Sequence, residues 1–497
     1  MAKDIMIKHL TDHILSSYRF FSIHVGEKDL ELWRYDDTKG IWVPNATVFV
    51  EDICREVLDR YELWRPHIGV EVAKGIALQN IKRPEDLNTH IFKMVFKNGV
   101  YDFEKDTFDP NFQPDEFHTI AMPVAYDPNA ICPNTDKFLG QILRQRDVLG
   151  LQEFLGQCLI KKVIYEMFFV LYGKTHSGKS ILLNVLTEFF GEENVVAISP
   201  QDLSTRQFAT VDLLGKLVNL RPDLPYSLIG NRLKSLGGKD RIGHDRKHTS
   251  TVYARPFAKS MFTTNIMPKT DDTSDAFFIR FRIVDTQRQF MESDPDYVPE
   301  DILIATLTTP SELSGLLNNI IEGWRRLRKN NGILTAHESN VDRKRAYMRR
   351  ADPIYYVASE CIIPKFNARV LKSVVYGYYV DICHEQQIAA VGDTGFSIEF
   401  EKAIKLRGDI ALGDMVTRDK DKGSFRVWKG FQLAYRTSEG LLIPLTNPDG
   451  SIFGFPETPD TPQQPENPTK EEIEEEEHKQ ELESQRPDLI DSKEDFA

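Results

Sequence analysis

The sequence predicts an α/β protein built on a parallel sheet flanked by helices, and three observations predict it. From residue 163 to about 290, apolar runs of strand length alternate with stretches of helical periodicity, the pattern of parallel strands joined by crossover helices. The runs Met167–Tyr172, Leu217–Leu220 and FAKSMF before Thr263 are largely apolar, as strands covered on both faces are. Polar or glycine residues follow each of these runs closely, so the reactive groups gather where strands end.

The other segments follow in chain order. Residues 1–120 alternate short apolar runs with turn signals, Asp-Asp-Thr-Lys-Gly after Tyr35 and Glu-Lys-Asp-Thr after Phe103, and predict an N-terminal α+β domain with hairpins. Residues 121–162 become helically periodic in FLGQILRQRDVLGLQEFLGQCLI and predict a small helical collar. Residues 163–300 form the core, and 301–350, with LSGLLNNIIEGWRRLRKN, a helical segment that completes it. Residues 351–440 hold helices and then a hairpin, a C-terminal domain. Residues 441–497 end the chain in a Pro-, Glu- and Gln-rich tail, poor in aromatics, that cannot bury enough surface to fold.

The net charge of −13 is concentrated in that tail: from Pro456 onward there are 15 acidic and 4 basic residues, which leaves the preceding body near neutral. Basic patches in the body can therefore bind phosphates, since screening limits the tail's reach to about 10 Å. The five cysteines, Cys54, Cys132, Cys158, Cys361 and Cys383, lie far apart, which predicts reduced thiols and neither zinc ligation nor a disulfide framework. No run of about 18 apolar residues and no signal-peptide core is found, so the expectation is a cytoplasmic protein without membrane contact.

The segment Gly173-Lys174-Thr175-His176-Ser177-Gly178-Lys179-Ser180 lies between the run Met167–Tyr172 and an amphipathic stretch carrying Leu182, Leu183, Val185, Leu186 and Phe189. Strand, glycine-rich loop and helix in this order form a phosphate cradle. Gly173 and Gly178 permit the backbone angles that aim N–H groups inward, and the helix N-terminus favours anions. Lys179 is placed to reach the β- and γ-phosphates of a nucleotide, and Ser180 to ligate Mg²⁺. Hydrolysis also needs a carboxylate at a neighbouring strand end, and Asp223, after GKLVNLRP, is the candidate for the metal shell and the attacking water. Asn265, ending FAKSMFTTN, can orient that water.

In order, these segments resemble the superfamily 3 helicases, within the phage, plasmid and poxvirus group of primase-associated, D5-like and P4-type helicases. GKTHSGKS resembles the first motif, GKLVNLRPDLP the second, LKSLGGKDRIGHDRKHTSTVYARPFAKSMFTTN the third and fourth, and DAFFIRFRIV the arginine-bearing strand, all within about 110 residues. The stretches NGVYDF and AYDPNAICPNTDKFLGQIL are similar to the region that precedes the helicase unit in this family, so the likeness spans roughly residues 90–290. It implies an AAA+-like P-loop NTPase core, ATP and Mg²⁺, a homo-oligomer of six subunits with nucleotide between neighbours, and single-stranded or forked DNA in the pore.

By the same resemblance the hairpin IGHDRKHTSTVYA contacts DNA. Its DRKH is similar to the hairpin tip of papillomavirus replicative helicases, which assigns that contact to Lys247 and His248, with Arg241 and Arg246 adding charge. Arg280 best matches the arginine finger acting on the adjacent subunit's ATP, and Arg282, on the same face two residues later, is the other candidate. The C-terminal portion resembles a winged helix, with Arg418, Lys420, Lys422 and Arg426 near its wing. The chain departs from the family at the second motif, where many relatives carry two adjacent carboxylates and Pro222-Asp223 supplies one. Asp223 then serves alone, or Asp212 or Glu188 contributes. The expected activity is ATP-driven DNA unwinding in replication of a virus, plasmid or integrated element, with a separate primase or initiator as partner and a prokaryotic host or virus-infected cell as setting. A nucleotide-switched origin-binding initiator and an RNA helicase remain the alternatives.

Overall fold

A computed structural model of the chain describes residues 2–25, 29–205, 211–224, 227–228, 242–244, 252–254, 256–270, 274–335, 338–386, 388–419, 423–437 and 441–446. Residues 447–497 of the tail, Arg241, Lys247, His248 and Arg246 of the DNA-contact assignment, and Lys420 and Lys422 lie outside the described residues. Residues 441–446, expected to be the start of a tail that does not fold, instead carry strand Leu442–Pro444 and bury Leu445 and Thr446. The chain divides into two units, one of residues 1–360 with 376–407, the other of 361–375 with 408–497.

The first unit begins with helix Ala2–Ser17 and a sheet whose strand order is Ile41–Val43, Asp29–Asp36, Phe20–Val25, Ile81–Lys82. Alternation along Phe20–Val25 sends Phe20 to one face and Phe21 and Ile23 to the other. Phe20 joins Leu10, Ile14, Val50, Cys54 and Val72 under helices Ala46–Asp59 and Pro66–Ala77. Phe21 meets Tyr35 and Trp42, with Phe112 and Phe117 packed beside them. Both predicted turns join antiparallel strands: Asp29–Asp36 pairs with Ile41–Val43, and Gly99–Asp102 with Thr107–Asp109.

Residues 93–109 form a three-stranded antiparallel sheet, and its Met94, Phe96 and Tyr101 enter the largest hydrophobic cluster. Helices Pro133–Ile142, Gln145–Cys158 and Pro310–Lys329 enter the same cluster through Phe138, Phe154 and Trp324. The expected collar is therefore two helices that begin at Pro133, preceded by residues 121–132 without helix. Where the Gln145–Cys158 and Pro310–Lys329 helices cross, Gly323 comes so near that a Cβ there would stand 2.5 Å from the Gln152 backbone. Only glycine admits that approach.

The central sheet has five parallel strands in the order Phe281–Asp285, Phe168–Tyr172, Lys259–Thr264, Val218–Arg221, Val195–Val196. The chain leaves Phe168–Tyr172 for the far edge and returns to flank it with strands that come later. That reversal leaves a crevice at the carboxyl ends of the strands. Strand Ile242–His244 pairs antiparallel with Val252–Ala254, one hairpin's worth of chain apart. No described helix is long and apolar enough to cross a membrane.

The second unit is an antiparallel sheet ordered Ile362–Leu371, Gly423–Arg436, Gly413–Asp419, with Leu442–Pro444 also on Gly423–Arg436. Trp428 and Phe431 are buried in it, and the Lys372 ammonium lies 4.7 Å from the Trp428 ring centroid. In chain order, helix Pro353–Glu360 precedes the first of these strands, and helices Lys372–Glu385 and Asp393–Arg407 separate it from the other strands.

Candidate functional site

Strand Phe168–Tyr172 is wholly buried, and its carboxyl end delivers the chain into the glycine-rich loop. Gly178 ends that loop with φ +83° as the residue preceding helix Lys179–Phe190, and a Cβ there would lie 2.8 Å from Ile142 Cγ2. Glycine is needed on both counts. The loop is held from outside by the chain after strand Phe281–Asp285. Gln289 Nε2 donates to the Thr175 carbonyl at 3.0 Å, and Phe290 N to the His176 carbonyl at 2.7 Å.

Lys179 is buried, and its ammonium donates to the Gly173 carbonyl at 2.8 Å, to the Lys174 carbonyl and to Ser177 Oγ at 3.1 Å. Burial pushes its pKa down to about 8, while the Asp223 carboxylate pulls it back up. The loop thus folds around its own lysine, whose ammonium is held by carbonyl and hydroxyl oxygens with the Asp223 carboxylate as its charge partner. An anion in the loop would supply another.

A cavity of about 530 Å³ opens at this loop, within the range of small-molecule sites. Thr175 to Ile181 line one side, and Asp223, Thr263 and Asn265 another. Asp223 follows Val218–Arg221 with φ +54°, a left-handed conformation that non-glycine residues adopt at a cost. Asn265 is exposed directly beyond Lys259–Thr264, whose Thr264 pairs with Tyr172. Sequence-distant residues thus converge because adjacent parallel strands end together. The hydroxyl of Ser180 and the carboxylate of Asp223 make no hydrogen bond to described residues, so the oxygen donors that suit Mg²⁺ face the same space. Asp212, in the turn Val211–Leu213, and Glu188, exposed on the helix, do not line it.

Arg280 and Arg282 stand elsewhere. Both line a second cavity, of about 350 Å³, at the amino ends of strands Phe168–Tyr172 and Phe281–Asp285. Arg280 Nε donates to Glu166 at 3.0 Å and its side chain is 18% exposed. Arg282 is buried, 3.2 Å from Asp147 and 3.4 Å from Glu338. Both arginines are therefore ion-paired within the fold, Arg280 half-buried against Glu166 and Arg282 fully buried.

The first cavity also has walls that the sequence reading assigned no role. Asn134, Lys137, Phe138 and Gln141 line it from helix Pro133–Ile142, and Asp296, Tyr297, Val298, Glu300 and Leu303 from the segment beyond the central sheet. Nothing local marks these residues as site residues. They reach the cavity only because helices Pro133–Ile142 and Glu300–Leu307 pack beside the loop.

Residues 6–144 match the family model described as D5 N terminal like. Residues 171–280, from the loop strand to Arg280, match a family of unknown function, DUF5906. The first match reaches further toward the N-terminus than the likeness read from residue 90. Among solved structures, the A form apo structure of the NrS-1 C terminal region is similar at 13% identity, covering 85% of this chain and 99% of that one with a TM-score of 0.41. A further apo structure of that region matches at 13% identity and a TM-score of 0.42, covering 85% of this chain and 98% of that one.

Proposed function

We propose that the chain is an ATP-hydrolysing DNA helicase of the superfamily 3 type, serving replication of a virus, plasmid or integrated element. The convergence of Lys179, Ser180, Asp223 and Asn265 on one cavity at the carboxyl ends of parallel strands carries this reading. The loop is its P-loop and the central sheet its AAA+-like core. Helix Lys179–Phe190 turns its first N–H groups toward the phosphates. Lys179 exchanges its loop carbonyls for phosphate oxygens. Ser180 and Asp223 would hold Mg²⁺, which would supply charge screening for phosphoryl transfer. Asn265 orients the attacking water.

Arg280, remote from its own loop, acts on the nucleotide of a neighbouring subunit in a ring of six. The strands Ile242–His244 and Val252–Ala254 support the reading of residues 245–251 as the DNA-contacting tip, with Lys247 and His248 on the backbone, Arg246 within the tip and Arg241 just before the first strand. The helix and strand order from Pro353 to Arg436 supports a winged-helix reading, and the match to the D5 N terminal like family supports a replication role; a separate primase or replication initiator would be the partner.

The test is hydrolysis and forked-duplex unwinding by the full chain. Lys179→Ala is expected to abolish both, and Lys247→Ala to abolish unwinding. Undiminished unwinding by Lys247→Ala removes the tip from the mechanism. The cavity's single strand-end carboxylate, Asp223, favours a second reading, a nucleotide-switched initiator that assembles on origin DNA. Origin binding without strand displacement would establish that instead, and stimulation by single-stranded RNA but not DNA would move the activity to RNA.

A further inference from the structure

Besides the phosphate cradle, the 530 Å³ cavity has a part lined by helix Pro133–Ile142 and by residues 296–303. Two side-chain amides on helix Pro133–Ile142 line it, and each has one of its two N–H donors engaged elsewhere. Asn134 Nδ2 donates to Glu312 Oε1 at 2.9 Å, and Gln141 Nε2 to Asp296 Oδ2 at 3.0 Å. A carboxylate only accepts hydrogen bonds, so these contacts determine which way each amide points. The oxygens, Asn134 Oδ1 and Gln141 Oε1, are left as acceptors with no donor among the described residues.

Both carboxylates are themselves held. Glu312 is buried and also accepts from Asn134 N at 3.1 Å, Thr135 N at 2.9 Å and Thr135 Oγ1 at 2.8 Å, closing the helix's first turn from another helix. Asp296 is gripped by Arg288 at 2.9 Å. The segment that bears Asp296 also anchors the loop through Gln289 and Phe290, so loop and wall are parts of one frame. On it Tyr297 and Val298 line the cavity while remaining 37% and 41% exposed. This is apolar surface that a flat ring would cover.

From these observations we infer that this part of the cavity is a nucleoside subsite selecting bases that carry an exocyclic amine. Asn134 Oδ1 accepts the amine, Gln141 Oε1 accepts a ribose hydroxyl, and Tyr297 and Val298 cover the ring. Asn134 and Gln141 share a helical face, and their seven-residue spacing corresponds to about 10 Å along the axis, the reach of a nucleoside rather than of a base. A base presenting a carbonyl at the same edge meets Asn134 Oδ1 acceptor to acceptor, and one group of the pair loses its partner.

This inference rests on the nucleotide reading of the loop, and one set of dissociation constants separates the two. Calorimetric titration of the full chain uses ATP, ITP (which replaces the amine by a carbonyl) and inorganic tripolyphosphate. ATP is expected to bind about tenfold more tightly than ITP, the scale of one hydrogen-bond mismatch. Asn134→Ala should bring ATP to the level of ITP without moving tripolyphosphate. Gln141→Ala should weaken ATP and ITP alike, again sparing tripolyphosphate. Equal binding of ATP and ITP by the unsubstituted chain overturns the amine selection, whether or not the variants fold. Tripolyphosphate binding as tight as ATP overturns the subsite and leaves the loop reading standing. Failure of all three ligands to bind removes both.

Discussion

Lys179 shows how a single residue couples folding to ligand binding. Its ammonium is buried against carbonyls of its own loop, and burial brings its pKa to about 8, well below the ordinary lysine value. Because the folded value lies below the unfolded one, the empty protein gains stability as pH rises from about 8 toward the unfolded lysine range of about 10. Phosphate binding needs the protonated form and runs the other way. ATP affinity should fall as pH rises through about 8, with net proton uptake on binding there, read from calorimetric enthalpies in buffers of different ionisation heat. Lys179→Met should abolish that uptake. Gly178 is constrained differently, by a φ of +83° and by Ile142 2.8 Å from any Cβ. Gly178→Ala should weaken nucleotide binding and lower stability by about 1–3 kcal/mol, measurable by denaturant unfolding.

Among the elements, helix Pro133–Ile142 depends most on its surroundings. Its N-cap residue, Cys132, makes no side-chain cap, and the first-turn N–H groups are satisfied by Glu312 from another helix. Glu312→Ala leaves those donors buried and unpaired and should cost about 1–3 kcal/mol, with ATP affinity falling further than tripolyphosphate affinity because the helix forms the nucleoside wall. The crossing of Gln145–Cys158 with Pro310–Lys329 is constrained by sterics. Gly323→Leu would drive a side chain into the Gln152 backbone and should prevent the helices from packing, seen as loss of cooperative thermal unfolding. Parallel strands do the opposite for the site, since three adjacent strands ending at one edge bring loop, acid and amide together without any long side chain having to reach.

At the scale of the molecule, the module matching the D5 N terminal like family is joined to the core through a buried polar contact. Lys161 donates to His118 Nδ1 at 3.1 Å, and His118 Nε2 donates to Glu116 at 2.9 Å. Burial brings Lys161 down to about 7, against the pull of Glu116, and keeps His118 neutral with a pKa of about 3. Stability should therefore rise from about pH 7 toward the unfolded lysine range of about 10, and Lys161→Met should flatten that rise in thermal unfolding. In the proposed ring, Arg280→Ala and Lys179→Ala subunits are each inactive alone, and mixing them should restore part of the hydrolysis, since one supplies the arginine and the other the loop. The sequence by itself determined the strand, loop and helix around Lys179, the strands leading to Asp223 and Asn265, both hairpin turns and the reduced cysteines, because hydrophobic periodicity, glycine placement and cysteine spacing are local properties. Only the tertiary structure decided that Arg282 is a buried partner of Asp147 and Glu338 while Arg280 pairs half-buried with Glu166. It also decided that helix Pro133–Ile142, read from periodicity as a collar, is a wall of the site, and that Asp212 and Glu188 lie away from it. Those outcomes depend on which faces meet across about 150 residues of intervening chain, and no local pattern encodes that.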